Sequence, residues 1–308
     1  MKRFLFFVIC LLIILGFACA RREALGSLTL TDDFICEHVG DITGRQIQEV
    51  SGMIESKRQA GIFWMINDSG DKPALYAVSP QGELVSSVIV NGAENVDWED
   101  LASFEYEGIA YLLIADAGNN TVERSAFVLY VVEEPMPGVA SVDTAWTISF
   151  AFEDGAPDCE AVAVDAKAQT ILLVSKRDVP ATLYELPLKP ADASIQTAVR
   201  LGQVTTVAQP KPEEIHDSLD RHHAQLTGLD IAPDGSTAAL LTYRRLYLYR
   251  RAEGAPWSSV FQSKPRVFEF PKLKQAESIC FSRDGCTLFI TSEKTPAPIY
   301  KISLRDSL

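Results

Sequence analysis

The 308-residue chain is poor in positive charge and in histidine, and it carries none of the common catalytic signatures. Lys and Arg number 28 against 41 Asp and Glu, so the formal net charge is −13. An acidic chain without a basic run argues against a nucleic-acid-binding function. The motifs Gly-x-Ser-x-Gly and His-Glu-x-x-His are missing, as is a phosphate-binding glycine loop. Motif-bearing serine hydrolases, zincins and P-loop enzymes are therefore excluded.

The one long apolar run lies at the N-terminus. Lys2 and Arg3 precede an apolar stretch from Phe4 to Phe17, and small residues up to Ala20 fit a signal-peptidase site. The same residues also fit a lipoprotein signal in which Cys19 is lipidated. The stretch is too short to be assigned as a membrane span.

We therefore predict three segments: a signal peptide over residues 1–20, a linker over 21–33 and a single domain over 34–308. The protein is expected to be exported to the periplasm or cell envelope. A lipid anchor at Cys19 is the only membrane contact that this pattern allows, and a free mature chain is the alternative.

Cysteine is scarce beyond the signal. The four that remain are Cys36, Cys159, Cys280 and Cys286. Export permits disulfides, and Cys280 and Cys286 flank a turn, so one interpretation is a cross-strand bridge between them. The other is that the cysteines are small buried hydrophobes. Their spacing excludes a zinc or iron–sulfur site.

One short phrase recurs five times, and its clearest copy runs from Asn95 to Ala102. Aligned on that copy, one position is always polar and the position two residues later is always apolar. The polar position is occupied by Ser51, Glu99, Glu160, Thr227 and Glu277. Each copy is followed by three further β-rich runs with turn residues between them, except that the fifth copy stops one run short.

A second marker, an aliphatic residue followed by Tyr, recurs in the third run of each copy. Its first three occurrences, at Tyr76, Tyr130 and Tyr184, are evenly spaced, and the third and fifth copies match at a constant offset of 116 residues. A repeat of about fifty residues with four strands each is typical of a β-propeller. We predict an all-β fold of five four-stranded blades, closed by a spare N-terminal strand from Phe34 to Val39; six blades are the alternative.

In a propeller, the loops before the inner strands and the loops after the second strands open on one face. Loops at one end of a rigid scaffold commonly carry the binding site. Trp98 is either a stacking platform or a core residue. The ligand-binding candidates on this face are Asn67, Asp68, Asp97, Trp98, Asn119, Lys176, Arg177, Arg244 and Glu293.

Three glutamates at one narrow mouth repel each other and require neutralisation. One hypothesis is Ca²⁺, which takes oxygen ligands, held by Glu99 and Glu160 with Asn95 and Asp116. The other is an internal ion network with the cations Lys176, Arg177 and Arg244. The candidates for acid–base chemistry are Glu99, Glu160, Glu277 and His223, and His223 alternatively belongs to a solvated loop.

The phrases Asn67-Asp68-Ser69-Gly70, Asn95 to Asp100, Asp116 to Asn119 and Asp158 to Ala161 resemble exported bacterial propeller proteins without an assigned activity. That resemblance implies the fold and export. The mouth more distantly resembles the calcium-dependent phosphotriesterase, gluconolactonase and paraoxonase propellers, which hold Ca²⁺ with one inner-strand Glu and with Asn and Asp ligands. Those propellers have six blades and one such Glu.

Two functions follow as expectations, and whether the protein is an enzyme stays open. The first is a monomeric exported module that binds a polar small molecule or an extracytoplasmic protein at the mouth. The second is a calcium-dependent hydrolase of lactones, phosphoesters or related esters, in which the metal polarises the scissile group. A scaffolding lipoprotein is a third interpretation.

Overall fold

The structure is a computed structural model that describes residues 33–304 apart from 122, 217 and 219. The predicted signal peptide and Cys19 lie outside the described residues. Nearly all of the regular secondary structure in the described chain is β-strand, which confirms the all-β prediction. None of its helices has the length and apolar character needed to cross a membrane.

The strands form four-stranded antiparallel arrays, and the N-terminal strand β1 (Phe34–Ile42) precedes them. The first array contains β2 (Val50–Glu55), β3 (Phe63–Asn67), β4 (Ala74–Val78) and β5 (Leu84–Asn91). The second contains β6 (Trp98–Tyr106), β7 (Ile109–Asp116), β8 (Phe127–Glu133) and β9 (Ser141–Phe152).

The later arrays follow the same plan along the chain. The third contains β10 (Cys159–Asp165), β11 (Thr170–Ser175), β12 (Ala181–Pro187) and β13 (Gln196–Val204). The fourth contains β14 (Leu226–Ile231), β15 (Thr237–Thr242), β16 (Arg245–Arg250) and β17 (Arg266–Glu269), with a short helix α1 (Trp257–Val260) before β17. The last contains β18 (Ala276–Phe281), β19 (Thr287–Ser292) and β20 (Ala297–Leu304).

The N-terminal strand completes the last array. β1 pairs antiparallel with β20, from Phe34 opposite Leu304 to Ile42 opposite Ala297, so that the order is β1-β20-β19-β18. This pairing covers the edge of β20, whose unpaired N–H and C=O groups would otherwise be open to another chain.

The first strands of the arrays lie beside one another in cyclic order. β2 contacts β6, β6 contacts β10, β10 contacts β14, β14 contacts β18, and β18 in turn contacts β2. Apolar clusters fill the spaces between successive arrays. Antiparallel four-stranded units arranged radially around their first strands are typical of a β-propeller.

Two buried carboxylates join the first strands near their axis. Asp100 Oδ2 accepts hydrogen bonds from the backbone N–H groups of Val162, at 2.8 Å, and Leu229, at 3.3 Å. Asp230 Oδ2 accepts one from Phe281 N at 2.7 Å. Each carboxylate thus connects strands of different arrays, and burial raises the pKa of both groups, that of Asp230 to about 7.

The repeated tyrosines serve packing and polar satisfaction together. Tyr76, Tyr130 and Tyr184 are buried among apolar residues, while their hydroxyls reach polar groups in nearby connections. The Tyr184 hydroxyl, for example, donates to Asp154 Oδ1 at 2.9 Å. A tyrosine suits such a position because its ring packs among apolar residues while its hydroxyl reaches a polar group.

The four described cysteines are free thiols. Cys159 and Cys280 are fully buried, whereas Cys286 is exposed in the turn after β18. The interpretation that Cys280 and Cys286 form a cross-strand bridge is therefore wrong for this structure, and the two fully buried thiols behave as small core residues.

Candidate functional site

The recurring polar position is a β-bulge in all five first strands. In each case the register between the first and second strands shifts at that residue, so it has no partner across the ladder. A bulge re-aims a side chain locally. The five residues at the bulges are all buried: Ser51, Glu99, Glu160, Thr227 and Glu277. The sequence alignment had identified these same five positions.

One buried lysine neutralises part of this ring. Lys176 is 6% exposed, and its ammonium forms an ion pair with Glu160 and lies 3.9 Å from Glu277 Oε1. The Tyr243 hydroxyl donates to the same Glu277 oxygen at 2.9 Å. The carboxylates, with Glu160 first, raise the pKa of Lys176 against the effect of its own burial, so the ammonium stays charged.

Glu99 has no such partner. Its Oε1 is buried without a hydrogen-bond partner, and the residue is 5% exposed. Burial, followed by the charges of Glu160 and Asp68, raises the pKa of Glu99 well above its usual value.

Glu99 belongs to two overlapping groups of three carboxylates. Within each group one oxygen per residue lies within 4.8 Å of the others. The first group is Asp68, Asp97 and Glu99, and the second is Glu99, Asp158 and Glu160. Burial raises the pKa of Asp68 to about 7 and also raises that of Asp97.

A further carboxyl pair, Glu277 and Glu293, also lies at the mouth. Glu293 follows β19 and is buried beside Glu277. Burial, then the hydrogen bond and charge of Glu277, raise the pKa of Glu293 to about 10. Glu293 therefore keeps its proton at neutral pH, because a second ionised carboxylate so close to Glu277 would be repelled.

These groups line an open cavity of about 890 Å³ at the mouth of the arrays. Its floor is acidic, whereas the rim carries exposed cationic side chains, including Arg177, Lys274 and Lys294. Of the residues predicted from sequence, those that line the cavity are Asp68, Glu99, Glu160, Lys176, Arg177, Glu277 and Glu293.

Several other candidates hold the loops in place. Asn95 Nδ2 donates to the backbone oxygens of Asn67 and Asp68, at 3.1 and 3.0 Å. Asp116 pairs with Arg124 at 2.7 Å, and Asn119 bonds the backbone of its own loop and of Ala156. Asp116 does not belong to either carboxylate group, and Asn95 Oδ1 accepts a hydrogen bond from Trp98 N at 3.3 Å.

Trp98, Arg244 and His223 also lie outside the cavity lining, as do Asn67 and Asp97. Trp98 is fully buried and its Nε1 donates to Glu94 O at 2.8 Å, which agrees with the core interpretation. Arg244 pairs with Glu269 at 3.2 Å. His223 Nε2 lies 2.6 Å from Asp220 Oδ1, whereas the neighbouring His222 lines the cavity.

A second polar ring includes only one residue that was predicted from the sequence, Asp97. It lies two residues before each bulge and consists of Glu49, Asp97, Asp158, Gln225 and Gln275. Glu49, Gln225 and Gln275 line the cavity, and Asp158 joins the carboxylate cluster while pairing with Arg177 at 2.6 Å. Extending the five-copy alignment by two positions would have revealed this ring.

No protein-family model and no curated protein sequence matches the chain. Solved structures with a similar fold include the WD40 domain of Pan2 from Neurospora crassa, at 9% identity and a TM-score of 0.42, with 91% of this chain and 98% of that chain covered. The WD40 repeats of RRP9 match at 10% identity and a TM-score of 0.45, covering 90% and 99%. The hydrazine synthase of Kuenenia stuttgartiensis matches at 10% and 0.40, covering 81% and 70%. Similarities this weak say nothing about what the chain binds.

Proposed function

We propose that the protein is a binding protein whose polar ligand occupies the cavity at the mouth. The supporting observation is the acidic floor, where three buried glutamates meet at the bulges and Lys176 neutralises only part of their charge. Packing of the β-arrays does not require buried carboxylates, which are costly unless paired. Their retention at one mouth is explained by a ligand that completes the pairing.

The charges indicate the kind of ligand. A group that reaches the floor meets Glu99 and its neighbours, so it carries positive charge or several hydrogen-bond donors. A group left at the rim meets exposed Lys and Arg side chains and suits an anion. A polar small molecule with both kinds of group fits this arrangement, and the exposed end of an extracytoplasmic protein is the alternative occupant.

The test is a thermal-shift and calorimetric screen with amino acids, polyamines, sugars and phosphate esters. We expect at least one class to raise the melting temperature of the wild-type chain. Binding should weaken in Glu277→Gln, which alters the floor, and stay unchanged in the exposed control Glu253→Gln. A ligand that binds both variants as tightly as the wild type would place the site elsewhere.

A calcium-dependent hydrolase of lactones, phosphoesters or related esters is the second candidate. The two carboxylate groups around Glu99 favour it, because clustered oxygen ligands suit Ca²⁺. Such an ion would polarise the scissile group, and a mouth glutamate would move the proton. Esterase, lactonase and phosphatase assays with Ca²⁺ or a chelator test this, and activity unaltered in both Glu99→Gln and Glu160→Gln would refute it.

We further propose that the chain is a monomeric five-bladed propeller, closed by β1 and exported to the periplasm or cell envelope. The cyclic contacts of the first strands and the pairing of β1 with β20 support the blade count and the closure. A chain that begins after β1 should aggregate or melt earlier, because β20 becomes an open edge. Cell fractionation of the wild type and Cys19→Ala tests export and lipidation.

A further inference from the structure

We propose that Asp68, Asp97 and Glu99 form a binding site for one divalent cation, with Ca²⁺ as the fitting ion. This inference rests on the proposed function, since it names the positive charge that the floor of the mouth receives. It also selects one of the two overlapping carboxylate groups.

The two groups differ in how their charges are balanced. In the group of Glu99, Asp158 and Glu160, Asp158 pairs with Arg177 and Glu160 pairs with Lys176. In the other group, no described Lys or Arg nitrogen lies within ion-pair distance of any of the three carboxylates. Asp68, Asp97 and Glu99 are therefore the carboxylates of the two groups that have no cationic partner within the described chain.

An unsatisfied atom points to the same place. Glu99 Oε1 is buried and has no hydrogen-bond partner, and the whole residue is only 5% exposed. Buried polar atoms are almost always paired, so an orphan acceptor in an acidic cluster indicates a missing positive or donating group. The unpaired Oε1 atom of Glu99 is therefore available to coordinate a metal ion.

Gly118 sets the distance between the carboxylates and the backbone. A Cβ atom at this position would lie 2.2 Å from Glu99 Oε1 and 2.4 Å from Asp97 Oδ2. After the second strand the other arrays carry the large side chains of Asp68, Lys176, Tyr243 and Glu293, whereas this array has Ala117 and Gly118. The small residues allow Asp97 and Glu99 to approach this backbone closely.

The donor set suits calcium better than magnesium. Ca²⁺ takes several protein carboxylates in a flexible geometry, whereas Mg²⁺ keeps several waters and usually binds only one or two carboxylates. The three oxygens all lie within 4.8 Å of one another. Three carboxylates against one divalent cation leave the remaining coordination positions to water or to an oxygen of the ligand at the mouth.

The test is calorimetric titration of the chelator-treated full chain with CaCl₂ and, separately, with MgCl₂. We expect one Ca²⁺ per chain, tighter binding of Ca²⁺ than of Mg²⁺, and a rise in melting temperature with Ca²⁺. Glu99→Gln and Gly118→Ala should each weaken Ca²⁺ binding by roughly ten-fold or more, because one removes a ligand charge and the other displaces two carboxylates.

The controls separate this site from the rest of the mouth. Glu277→Gln lies on the same floor but outside the three carboxylates, so it should retain Ca²⁺ while it loses the polar ligand. Glu99→Gln removes a buried charge and should melt no lower than the wild type in chelator, which shows that it folds. Absence of Ca²⁺ binding in the wild type, or wild-type affinity in Glu99→Gln, would overturn the cation site; polar-ligand binding in such a protein would leave the proposed function standing.

Discussion

Replacing Lys176 by Met should destabilise the protein in a pH-dependent way. The ammonium is 6% exposed and pairs with Glu160, which is 3% exposed. Methionine has a similar length and fills the same space, so lost packing contributes little. The variant leaves Glu160 buried without a cation, and a buried uncompensated carboxylate takes up a proton instead of remaining charged.

The size of the loss of unfolding free energy follows from the cost of keeping Glu160 protonated. An unperturbed glutamate has a pKa of about 4.3, and each pH unit above it adds about 1.4 kcal/mol to the cost of keeping the group protonated. Because burial already raises the pKa of Glu160 in the wild type, the loss of unfolding free energy should be at most roughly 3.7 kcal/mol at pH 7 and at most roughly 1.6 kcal/mol at pH 5.5. The value at pH 7 agrees with the range of about 3–5 kcal/mol for breaking a buried ion pair.

The sign follows from the direction of the shift. Burial raises the pKa of Glu160, and Lys176 opposes that rise, so removing Lys176 raises the pKa further. The folded variant then holds a proton that the unfolded chain releases above about pH 4.3. Its stability is fully present below that pH and is lost as the pH rises towards the folded pKa.

Urea unfolding of four proteins checks the reasoning: wild type, Lys176→Met, Glu160→Gln and the double variant. The double variant should recover most of the loss, and its stability should no longer depend on pH through this site. A loss of equal size at pH 5.5 and pH 7, or a double variant no more stable than Lys176→Met, would show that packing and not charge is responsible.

Three other perturbations test the scaffold. Asp100→Ala leaves two buried N–H groups of neighbouring strands without an acceptor, so urea unfolding should show an unfolding free energy lower by about 2–5 kcal/mol. A loss no larger than that of a substitution on the surface would refute the role of Asp100 in joining the strands. Gly82→Ala places a Cβ atom 2.2 Å from the Asp41 carbonyl oxygen at a φ of +87°, whereas the control position Gly108 has a φ of +78° and open space around it. The Gly82→Ala variant should therefore lose more melting temperature than Gly108→Ala, and equal losses would contradict this. Burial holds the pKa of Asp230 near 7, so from about pH 4 to 7 the stability should fall by up to about 1.4 kcal/mol per unit, and Asp230→Asn should flatten that slope; an unchanged slope would show that other groups titrate.

Much of the scaffold was predictable because it depends on local pattern. Alternating apolar residues and turn signals fix where each strand begins and ends, and the fivefold phrase marks the first strand of every array. The polar residue within the phrase was recognisable because it recurs two residues before an apolar residue in all five copies. The structure shows the reason for its recurrence at Glu99, Glu160 and Glu277: it sits at a bulge, where a side chain can leave the alternation of the strand.

The register between copies was harder to obtain from sequence. The constant offset of 116 residues aligns the second strands of the third and fifth arrays one residue out of register. The strand pairing places Ser175 opposite Cys159 and Ser292 opposite Ala276, so Glu293 is the counterpart of Lys176. A shift of one residue moves a side chain to the other face, which is why this correspondence was missed.

The partners of the charged residues were not predictable at all. Asp116 was a reasonable metal ligand by residue type, yet Arg124 lies beside it, and Asn95 is held by the backbone of an adjacent loop. Which cation reaches which carboxylate depends on tertiary placement of loops that share no sequence pattern. The hypothesis of an internal ion network describes part of the acidic mouth, since Lys176 and Arg177 pair with Glu160 and Asp158, while the calcium hypothesis stays a prediction.

The functional information lies where the five copies differ. The scaffold repeats the same bulge five times, so fold alone requires only that each residue there tolerate burial. Thr227 does so by donating its hydroxyl to Ala276 O at 2.7 Å, and a pairing of that kind would satisfy any of the five positions. Ser51 Oγ and Glu99 Oε1 are both buried without a hydrogen-bond partner, and of these two only Glu99 is a carboxylate, next to a glycine that permits close approach. A symmetric scaffold does not explain an unpaired carboxylate at one of the five positions, whereas the proposed cation does.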